Sequence, residues 1–387
     1  MAGLSSAPAH PPARDAAGLL WPLVIDALAA STDRALFRDV TAWDVEAVTS
    51  DPDDLEHGFH VVVQTFEGEL LAARMRSVVR HPTQPWRGSA ALAEPPSRPA
   101  ECDVEWRSSL SRDAYCDGVG RIREHIAAGD VYQVNLCRTL TTDAALDLDV
   151  LFRGVLAHNP ARHAARIDIA GLPQIVSASP EMYLAREGAV ISSAPIKGTS
   201  TCPETMLAKD ATENVMITDL VRNDLQRVCV PGSVRVDPLL EMQQHPGLVH
   251  LVSTVWGEVC DDVTWARLLS ATGPPGSVSG TPKLRALDVI ESLEVGARGP
   301  YCGAIGWIDA DRGAAELAVG IRTFWQKLAG GGAAAANGHG ISSPSTHFGV
   351  GAGITWDSVP TAEWDETELK AHRLLAIARG AALEETP

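Results

Sequence analysis

Long segments with helical spacing alternate with short strand-like runs along most of this 387-residue chain. Apolar residues recur every three or four positions over residues 113–128, and that pattern stops at Gly129. Two further helical candidates cover residues 204–228 and about 361–379. Strand-like runs lie near 60–66, 131–136, 249–259, 301–309 and 315–325. The pattern therefore predicts a fold that mixes helices and strands.

Residue composition and motif content divide the chain into three parts. Residues 1–17 are rich in Ala and Pro, which predicts a disordered N-terminus. Residues 18–110 form a variable part that includes a long Pro-, Arg- and Ser-rich surface connection. Residues 111–382 carry the chemically informative motifs and are expected to form the functional core. Within that core, 329–345 contains a Gly- and Ala-rich run that predicts a flexible hairpin insertion.

The balance of charge limits the possible partners. The formal net charge of -17 disfavours nucleic acids and anionic membranes, because both repel an acidic surface. Seven cysteines without a C-x-x-C pair indicate reduced thiols in a cytoplasmic protein. The sequence has neither a secretion-signal pattern nor an apolar run long enough to span a membrane, so we expect no membrane association.

Two helical candidates each carry a pair of carboxylates next to an apolar face. Glu213 heads a stripe that continues through Ile217 and Leu220, and Asp210 lies one turn earlier. The last helical candidate repeats this arrangement with the carboxylate pair 363 and 366. Such pairs suit an oxygen-ligated cation such as Mg²⁺. The alternative is that both pairs lie on solvated helix faces and form salt bridges.

Three basic or titratable side chains stand in apolar runs. Lys197 would offer a nucleophilic amine if burial lowered its pKa, although a turn lysine that reaches solvent is the alternative. Arg322 requires an anionic partner, which is either a structural carboxylate or a substrate carboxylate. His250 suits general acid/base chemistry, and a structural histidine is the alternative.

Two glycine-rich segments indicate close contact with a ligand. Residues 273–283 precede a helical candidate, where backbone N–H groups and the hydroxyls of Ser277 and Ser279 suit an anion. A capped helix start is the alternative. The second segment, 348–354, lacks the following helix of a dinucleotide motif, so close approach of the backbone to a ligand is the better interpretation.

The order and spacing of the motifs are more specific than any one of them. The relevant runs are GDVYQVNL at 129–136, SASPE at 177–181, PIKGT at 195–199, ENVMITDLVRNDL at 213–225, HLVST at 250–254, YCGAIG at 301–306, IRT at 321–323 and EWDET at 363–367. Together they resemble the chorismate-utilising enzymes over about residues 112–380. The resemblance implies an α+β fold of the anthranilate-synthase type. In that fold two packed, mostly antiparallel sheets are surrounded by helices, with the active site between them.

The resemblance also implies roles for individual residues. Glu213 and Glu366 match direct Mg²⁺ ligands, while Asp210 and Glu363 match supporting carboxylates. Glu181 and His250 match candidate acid/base residues at the leaving hydroxyl. The enolpyruvyl carboxylate would be held by the side chains and backbone N–H groups of Arg322, Tyr301, Gly351, Ala352 and Gly353.

Two positions indicate a branch of the family. Water-adding members resemble this chain but have a lysine where Gln133 stands, and glutamine cannot deprotonate water. Lys197 is typical of the branch that forms 4-amino-4-deoxychorismate for p-aminobenzoate and folate synthesis, through a covalent intermediate on that lysine. This implies ammonia from a separate glutamine amidotransferase subunit. The alternatives are an anthranilate-forming relative and, because Pro275 and the insertion depart from the pattern, a non-catalytic binding subunit.

Overall fold

A computed structural model describes most of the chain. The described residues are 33–81, 104–144, 146–200, 202, 204, 208–245, 248–327 and 345–380. The N-terminus predicted to be disordered, all but the last residue of the predicted insertion 329–345, and most of the predicted connection near 80–110 lie outside these ranges.

The described residues contain six α-helices. Their bounds are α1 Arg112–Ala127, α2 Leu148–His158, α3 Ala208–Gln226, α4 Trp265–Thr272, α5 Lys283–Leu293 and α6 Pro360–Ala378. The three long helices predicted from the sequence correspond to α1, α3 and α6. None of the described helices is both long and apolar enough to cross a bilayer.

The described strands number twenty. Their bounds are β1 Arg34–Phe37, β2 Val40–Thr49, β3 Phe59–Gln64, β4 Leu70–Arg80, β5 Arg107–Ser108, β6 Gln133–Thr142, β7 His163–Asp168, β8 Gln174–Ser179, β9 Met182–Glu187, β10 Val190–Ala194, β11 Ile196–Ser200, β12 Arg235–Val236, β13 Glu241–His245, β14 Leu248–Val252, β15 Val255–Glu258, β16 Gly280–Thr281, β17 Ala304–Asp309, β18 Ala314–Val319, β19 Thr323–Gln326 and β20 Thr346–Ile354.

Seventeen strands form one hydrogen-bonded network, and β11, β14 and β13 form a separate three-stranded sheet. The pairings that build the site, such as β6 with β20 and β11 with β14, are antiparallel. The α+β fold expected from the sequence is therefore confirmed, although the strands link into one large network and a small sheet.

Local sequence explains where the first long helix begins and ends. The Ser111 hydroxyl accepts a hydrogen bond from the Ala114 N–H, which caps α1. The helix buries Tyr115, Val119 and Ile122, the positions that its apolar spacing predicts. It stops before Gly129, which adopts a φ of 78° that favours glycine.

The long pairing between β6 and β20 forms one wall of the site. It runs in register from Thr346 opposite Thr142 to Ile354 opposite Val134. One large apolar core contains residues from this wall together with Ile217 of α3. A second apolar cluster packs α2 and α6 against the sheet. These contacts hold α3 and α6, the two helices with carboxylate pairs, in fixed positions around the same wall.

Candidate functional site

One cavity of about 630 Å³ brings together nearly all of the residues that the sequence singled out. Its lining includes Lys197, Glu181, His250, Arg322, Tyr301, Gly351, Ala352, Gly353, Ser277, Glu213, Glu366, Asp210 and Glu363. These residues come from helices, strands and loops spread over almost 190 positions of sequence. Their convergence is a property of the fold and not of any single motif.

Ser279 is the predicted site residue that does not line this cavity. Its side chain is fully buried, and its hydroxyl donates to the carbonyls of Pro275 and Gly276, at 3.2 and 3.3 Å. The hydroxyl therefore holds the shape of its own loop. The neighbouring Ser277 does face the cavity.

Four carboxylates from two helices form the acidic side of the cavity. Asp210 and Glu213 lie on α3, while Glu363 and Glu366 lie on α6. Burial raises the pKa of Glu213 and of Glu363, and the neighbouring Glu366 raises both further. The carboxylates thus crowd negative charge that a cation at this position would neutralise.

Among the described residues, no three His, Cys, Asp or Glu side chains lie close enough to form a ready-made metal site. The four oxygen donors nevertheless match the chemistry that Mg²⁺ prefers, and Mg²⁺ usually keeps several water ligands. The raised pKa of Glu213 and of Glu363 also fits an added positive charge. The residues present are therefore compatible with a magnesium ion.

Lys370 is a cavity residue that was not predicted from the sequence. Its ammonium lies 2.7 Å from a Glu366 carboxylate oxygen and donates to the Gly351 carbonyl at 3.1 Å. Burial acts to raise the pKa of Glu366, but Lys370, Lys209 and Lys197 together outweigh it, so that pKa lies below its ordinary value. The spacing of four residues between Glu366 and Lys370 was a visible signal for this pair.

Lys197 reaches the cavity from an irregular part of β11. The pairing of β11 with β14 shifts register between Ile196 and Thr199, which takes Lys197 out of the regular ladder. Gly198 follows with a φ of 80°. Burial lowers the pKa of the Lys197 ammonium, while Glu213 and Glu181 oppose that shift. The surroundings therefore favour a larger share of neutral amine than an exposed lysine has.

Glu181 and His250 are buried in the same cavity. Glu181 is 5% exposed and accepts hydrogen bonds from the Ser277 hydroxyl and the Ile196 N–H. Burial nevertheless raises the pKa of the Glu181 carboxyl. His250 lies in β14, opposite Thr199 of β11. A carboxyl group that stays protonated near neutral pH can donate a proton to a leaving group.

Arg322 offers a positive charge that the protein leaves largely uncompensated. Within the described ranges its guanidinium forms no ion pair, although Glu181 lies near enough to raise its pKa against the lowering effect of burial. The residue adopts a φ of 53°, a left-handed conformation that is uncommon outside glycine. This arrangement suits a carboxylate ligand.

Tyr301 packs directly against β20. A Cβ atom on Gly349 would lie 2.0 Å from the Tyr301 ring, so only glycine permits this contact. Burial raises the pKa of the Tyr301 phenol well above its ordinary value. The hydroxyl therefore remains a neutral hydrogen-bond donor near neutral pH.

The neighbouring side chains leave no room for a Cβ atom at two glycines of β20. A Cβ atom on Gly351 would lie 2.6 Å from the Cys137 sulfur, and one on Gly353 would lie 2.3 Å from Gln133 Nε2. Ala352 does not adopt a positive φ, so alanine is tolerated between them. Gln133 itself is 1% exposed, and its side-chain amide has no hydrogen-bond partner among the described residues.

Comparison with known proteins agrees with this site. Residues 63–376 match the family of chorismate binding enzymes. The chain is 34% identical over 335 residues to anthranilate synthase component 1 of Thermus thermophilus, covering 84% of this chain and 68% of that protein. It is 35% identical over 286 residues to aminodeoxychorismate synthase component 1 of Klebsiella aerogenes, covering 70% of this chain and 59% of that one. The chain spans roughly half to two thirds of the length of such curated relatives.

The fold comparison leads to the same group. Anthranilate synthase component I from Streptococcus pneumoniae superposes with a TM-score of 0.71 at 22% identity, over 89% of this chain and 93% of that one. The protein therefore belongs to the chorismate-binding enzyme family and has the anthranilate synthase component I fold.

Proposed function

We propose that this chain aminates chorismate to 4-amino-4-deoxychorismate and that the Lys197 amine forms a covalent intermediate. The observation that carries this proposal is the position of Lys197, which lines the cavity with a pKa lowered by burial. Neutral amines are nucleophiles, whereas ammonium groups are not. Glu181, whose pKa is raised by burial, lies in the same cavity as a proton donor.

The proposed reaction has two displacements. The Lys197 nitrogen forms a bond to ring carbon C2, the two ring double bonds shift, and the C4–O bond breaks. Glu181 or His250 supplies the proton with which the hydroxyl leaves as water. Ammonia then forms a bond to C4, the double bonds shift back, and the C2–N bond breaks with its electron pair returning to the Lys197 nitrogen, which leaves as a neutral amine. The new ammonium group on C4 loses one proton to the residue that protonated the leaving hydroxyl.

The presence of glutamine at position 133 supports ammonia over water as the second nucleophile. A neutral amide cannot remove a proton from water at neutral pH, whereas ammonia needs no such activation. Gln133 also lies directly beneath Gly353 of the cavity wall. The anionic groups of chorismate would be held by Arg322 and by the backbone of β20, with Tyr301 as a neutral donor.

A magnesium ion is part of this proposal. Glu213 and Glu366 would hold it, and Asp210 with Glu363 would support it, which would account for the four carboxylates that line this cavity. When bound, the ion supplies positive charge for the ring carboxylate of the substrate. A Glu213→Gln substitution is expected to lower both the affinity for Mg²⁺ and the rate of amination.

The source of ammonia is proposed to be a glutamine amidotransferase subunit in the cytoplasm. The product would then require a separate lyase to give p-aminobenzoate for folate synthesis.

The test is product identification. The purified chain receives chorismate, Mg²⁺ and ammonium, and the products are separated and weighed by mass spectrometry with and without an added aminodeoxychorismate lyase. We expect 4-amino-4-deoxychorismate, converted to p-aminobenzoate only when the lyase is present. Mass spectrometry of the trapped protein should show an adduct on the peptide that contains Lys197.

An anthranilate-forming activity is the second candidate. It is favoured by the similarity to the Thermus thermophilus protein, which covers more of this chain than the similarity to the Klebsiella aerogenes protein. Release of anthranilate without any lyase would establish that alternative and would leave Lys197 without a covalent role. No consumption of chorismate under either condition would contradict both.

A further inference from the structure

A buried lysine that does not line the cavity binds the loop between α4 and β16. The Lys283 ammonium contacts an Asp224 carboxylate oxygen at 2.6 Å and donates to the carbonyls of Thr272 and Pro274, at 3.0 and 2.9 Å. The Lys283 and Asp224 side chains are 12% and 8% exposed. An ammonium group has three N–H donors, and these three acceptors use all of them.

The remaining carbonyls of this loop also accept hydrogen bonds from side chains of the protein. The Ser277 carbonyl accepts from the Asn135 side chain at 3.0 Å, and the Val278 carbonyl accepts from the Arg298 guanidinium at 2.8 Å. Ser279 binds the carbonyls of Pro275 and Gly276. A short loop whose carbonyls from residue 274 to 278 are all engaged has little freedom to change conformation.

The loop also rests directly on α3. A Cβ atom on Gly276 would lie 2.9 Å from the Leu220 side chain, so the loop backbone packs tightly against a side chain of this helix. Asp224, the partner of Lys283, lies on the same helix one turn further along. The ion pair therefore joins the loop to the helix that also carries Glu213.

The consequence for the cavity is the placement of one hydroxyl. Ser277 sits in the middle of this loop, and its hydroxyl donates to the buried Glu181 carboxyl. Glu181 is 5% exposed, so water contributes little to stabilising its charge, and the charged groups that face it are Lys197 and Arg322. A small displacement of the loop would break this contact, because hydrogen bonds weaken steeply with distance and angle.

We propose that Lys283 is a positioning residue: through its ion pair with Asp224 it fixes the 273–279 loop so that Ser277 stays hydrogen-bonded to Glu181. Lys283 itself does not line the cavity and contacts no reacting atom. This inference rests on the proposed function where it concerns the rate of chorismate amination. Its structural part, the fixing of the loop, can be measured without any substrate.

The first variant to compare is the double substitution Lys283→Met with Asp224→Asn. Removing both charges avoids an unpaired buried carboxylate, which would destabilise the whole protein. The carbonyls of Thr272 and Pro274 then lose their shared donor while the volume of both side chains is nearly kept. Lys283→Arg keeps the positive charge, so we expect this single variant to keep much of the wild-type order of the loop. Arg285→Met is the matched control, because Arg285 lies on the same helix with a 47% exposed side chain.

Hydrogen exchange by mass spectrometry reports on the loop alone. In the double variant, peptides covering residues 272–282 should exchange faster at a temperature where the rest of the chain exchanges as in the wild type. Arg285→Met should leave this exchange unchanged. This measurement remains valid if the wild type proves inactive with chorismate, so it separates failure of this inference from failure of the proposed function.

Kinetics then test whether the loop acts through Ser277. We expect kcat per folded enzyme to fall about 100-fold in the double variant, the effect of misplacing a catalytic group by about 1 Å. The Ser277 hydrogen bond lowers the pKa of Glu181. Its loss therefore moves the fall of activity at alkaline pH to higher pH, because a protonated Glu181 is then kept over a wider range.

A double-mutant cycle decides the mechanism. Ser277→Ala alone should give the same shift of the alkaline limb, and adding it to the Lys283/Asp224 variant should change kcat by no more than about twofold. Unchanged exchange in the loop would overturn the proposal. So would faster exchange with an unchanged pH profile, or effects of the two sets of substitutions that simply multiply.

Discussion

Arg298 and Arg322 are two arginines of the same fold that differ in what surrounds their guanidinium groups. Arg298 is 3% exposed and donates to both oxygens of Glu294, at 2.6 and 2.8 Å, and to the carbonyls of Val278 and Asn135. Arg322 lines the cavity and forms no ion pair within the part of the chain that the structure describes. One charge is saturated by the protein, and the other lacks an ion-pair partner among the described residues.

The lysines show the same division. Lys283 has its three donors occupied by protein acceptors, whereas Lys197 faces the cavity with a pKa lowered by burial. The cations whose donors are all bound by protein acceptors stabilise the fold. The cations that lack ion-pair partners among the described residues line the cavity, where an anionic ligand could pair with them. In this protein the number of hydrogen bonds to a buried cation distinguishes its role better than its burial does.

The largest expected effect comes from removing the unsaturated lysine. Lys197→Ala should lower the rate of amination by about 1,000-fold or more, because the amine that forms the covalent intermediate is lost. The rate is measured as product formed from chorismate and ammonium. Lys327→Ala, which changes an exposed lysine outside the cavity, is the control and should keep full activity. Amination that survives Lys197→Ala unchanged would contradict the covalent role.

Removing the saturated arginine should affect stability. Arg298→Met leaves Glu294 buried without its partner, and we expect the free energy of unfolding to fall by about 3–5 kcal/mol. Urea denaturation followed by circular dichroism measures this change. Arg222→Ala removes an exposed ion pair with Asp219 and should cost less than about 1 kcal/mol. Equal losses for the two variants would show that saturation of Arg298 does not stabilise the fold.

The unsaturated arginine should behave in the opposite way. Arg322→Lys keeps the charge but loses the planar pair of donors, so we expect KM for chorismate to rise about 10- to 100-fold. The melting temperature should change little, because no ion pair within the described residues depends on this guanidinium. Steady-state kinetics and a thermal melt on the same preparation distinguish these effects. A lower melting temperature with unchanged KM would assign Arg322 a structural role.

The pH dependence should give the smallest effect, about tenfold per pH unit outside the optimum. Burial lowers the pKa of Lys197, so activity should rise with pH as the ammonium loses its proton, at a pH below its ordinary value of 10.5. Burial raises the pKa of Glu181, so activity should fall as pH rises through that pKa and the proton donor ionises. Glu181→Gln should remove the second limb from the profile of kcat against pH.

Much of the fold was predictable because its long helices carry strong periodic patterns. The cap and stop of α1, the apolar stripe of α3 and the glycines of β20 are local signals, and each corresponds to an observed contact. The carboxylates at 213 and 366 were also visible as pairs on helix faces. Their meeting in one cavity was implied by family resemblance, because helical spacing alone equally allowed solvated faces.

Other features depend on contacts that no local pattern encodes. Ser277 and Ser279 are the same residue type two positions apart, yet one faces the cavity and the other bonds to its own loop. The role of Lys283 could not be predicted from the run 273–283, because its partner Asp224 lies 59 positions earlier. The irregular pairing that frees Lys197 from β11 arises from the register with β14, which the sequence of β11 does not specify.

The position of α6 in the chain means that this cavity is completed late in synthesis. The cavity wall begins with Asn135, but Glu363, Glu366 and Lys370 are contributed by α6, which ends at Ala378. A nascent chain that has emerged from the ribosome only as far as β20 has half of the carboxylates of this site. Ligand binding to nascent chains of increasing length would therefore mark the step at which the last helix docks.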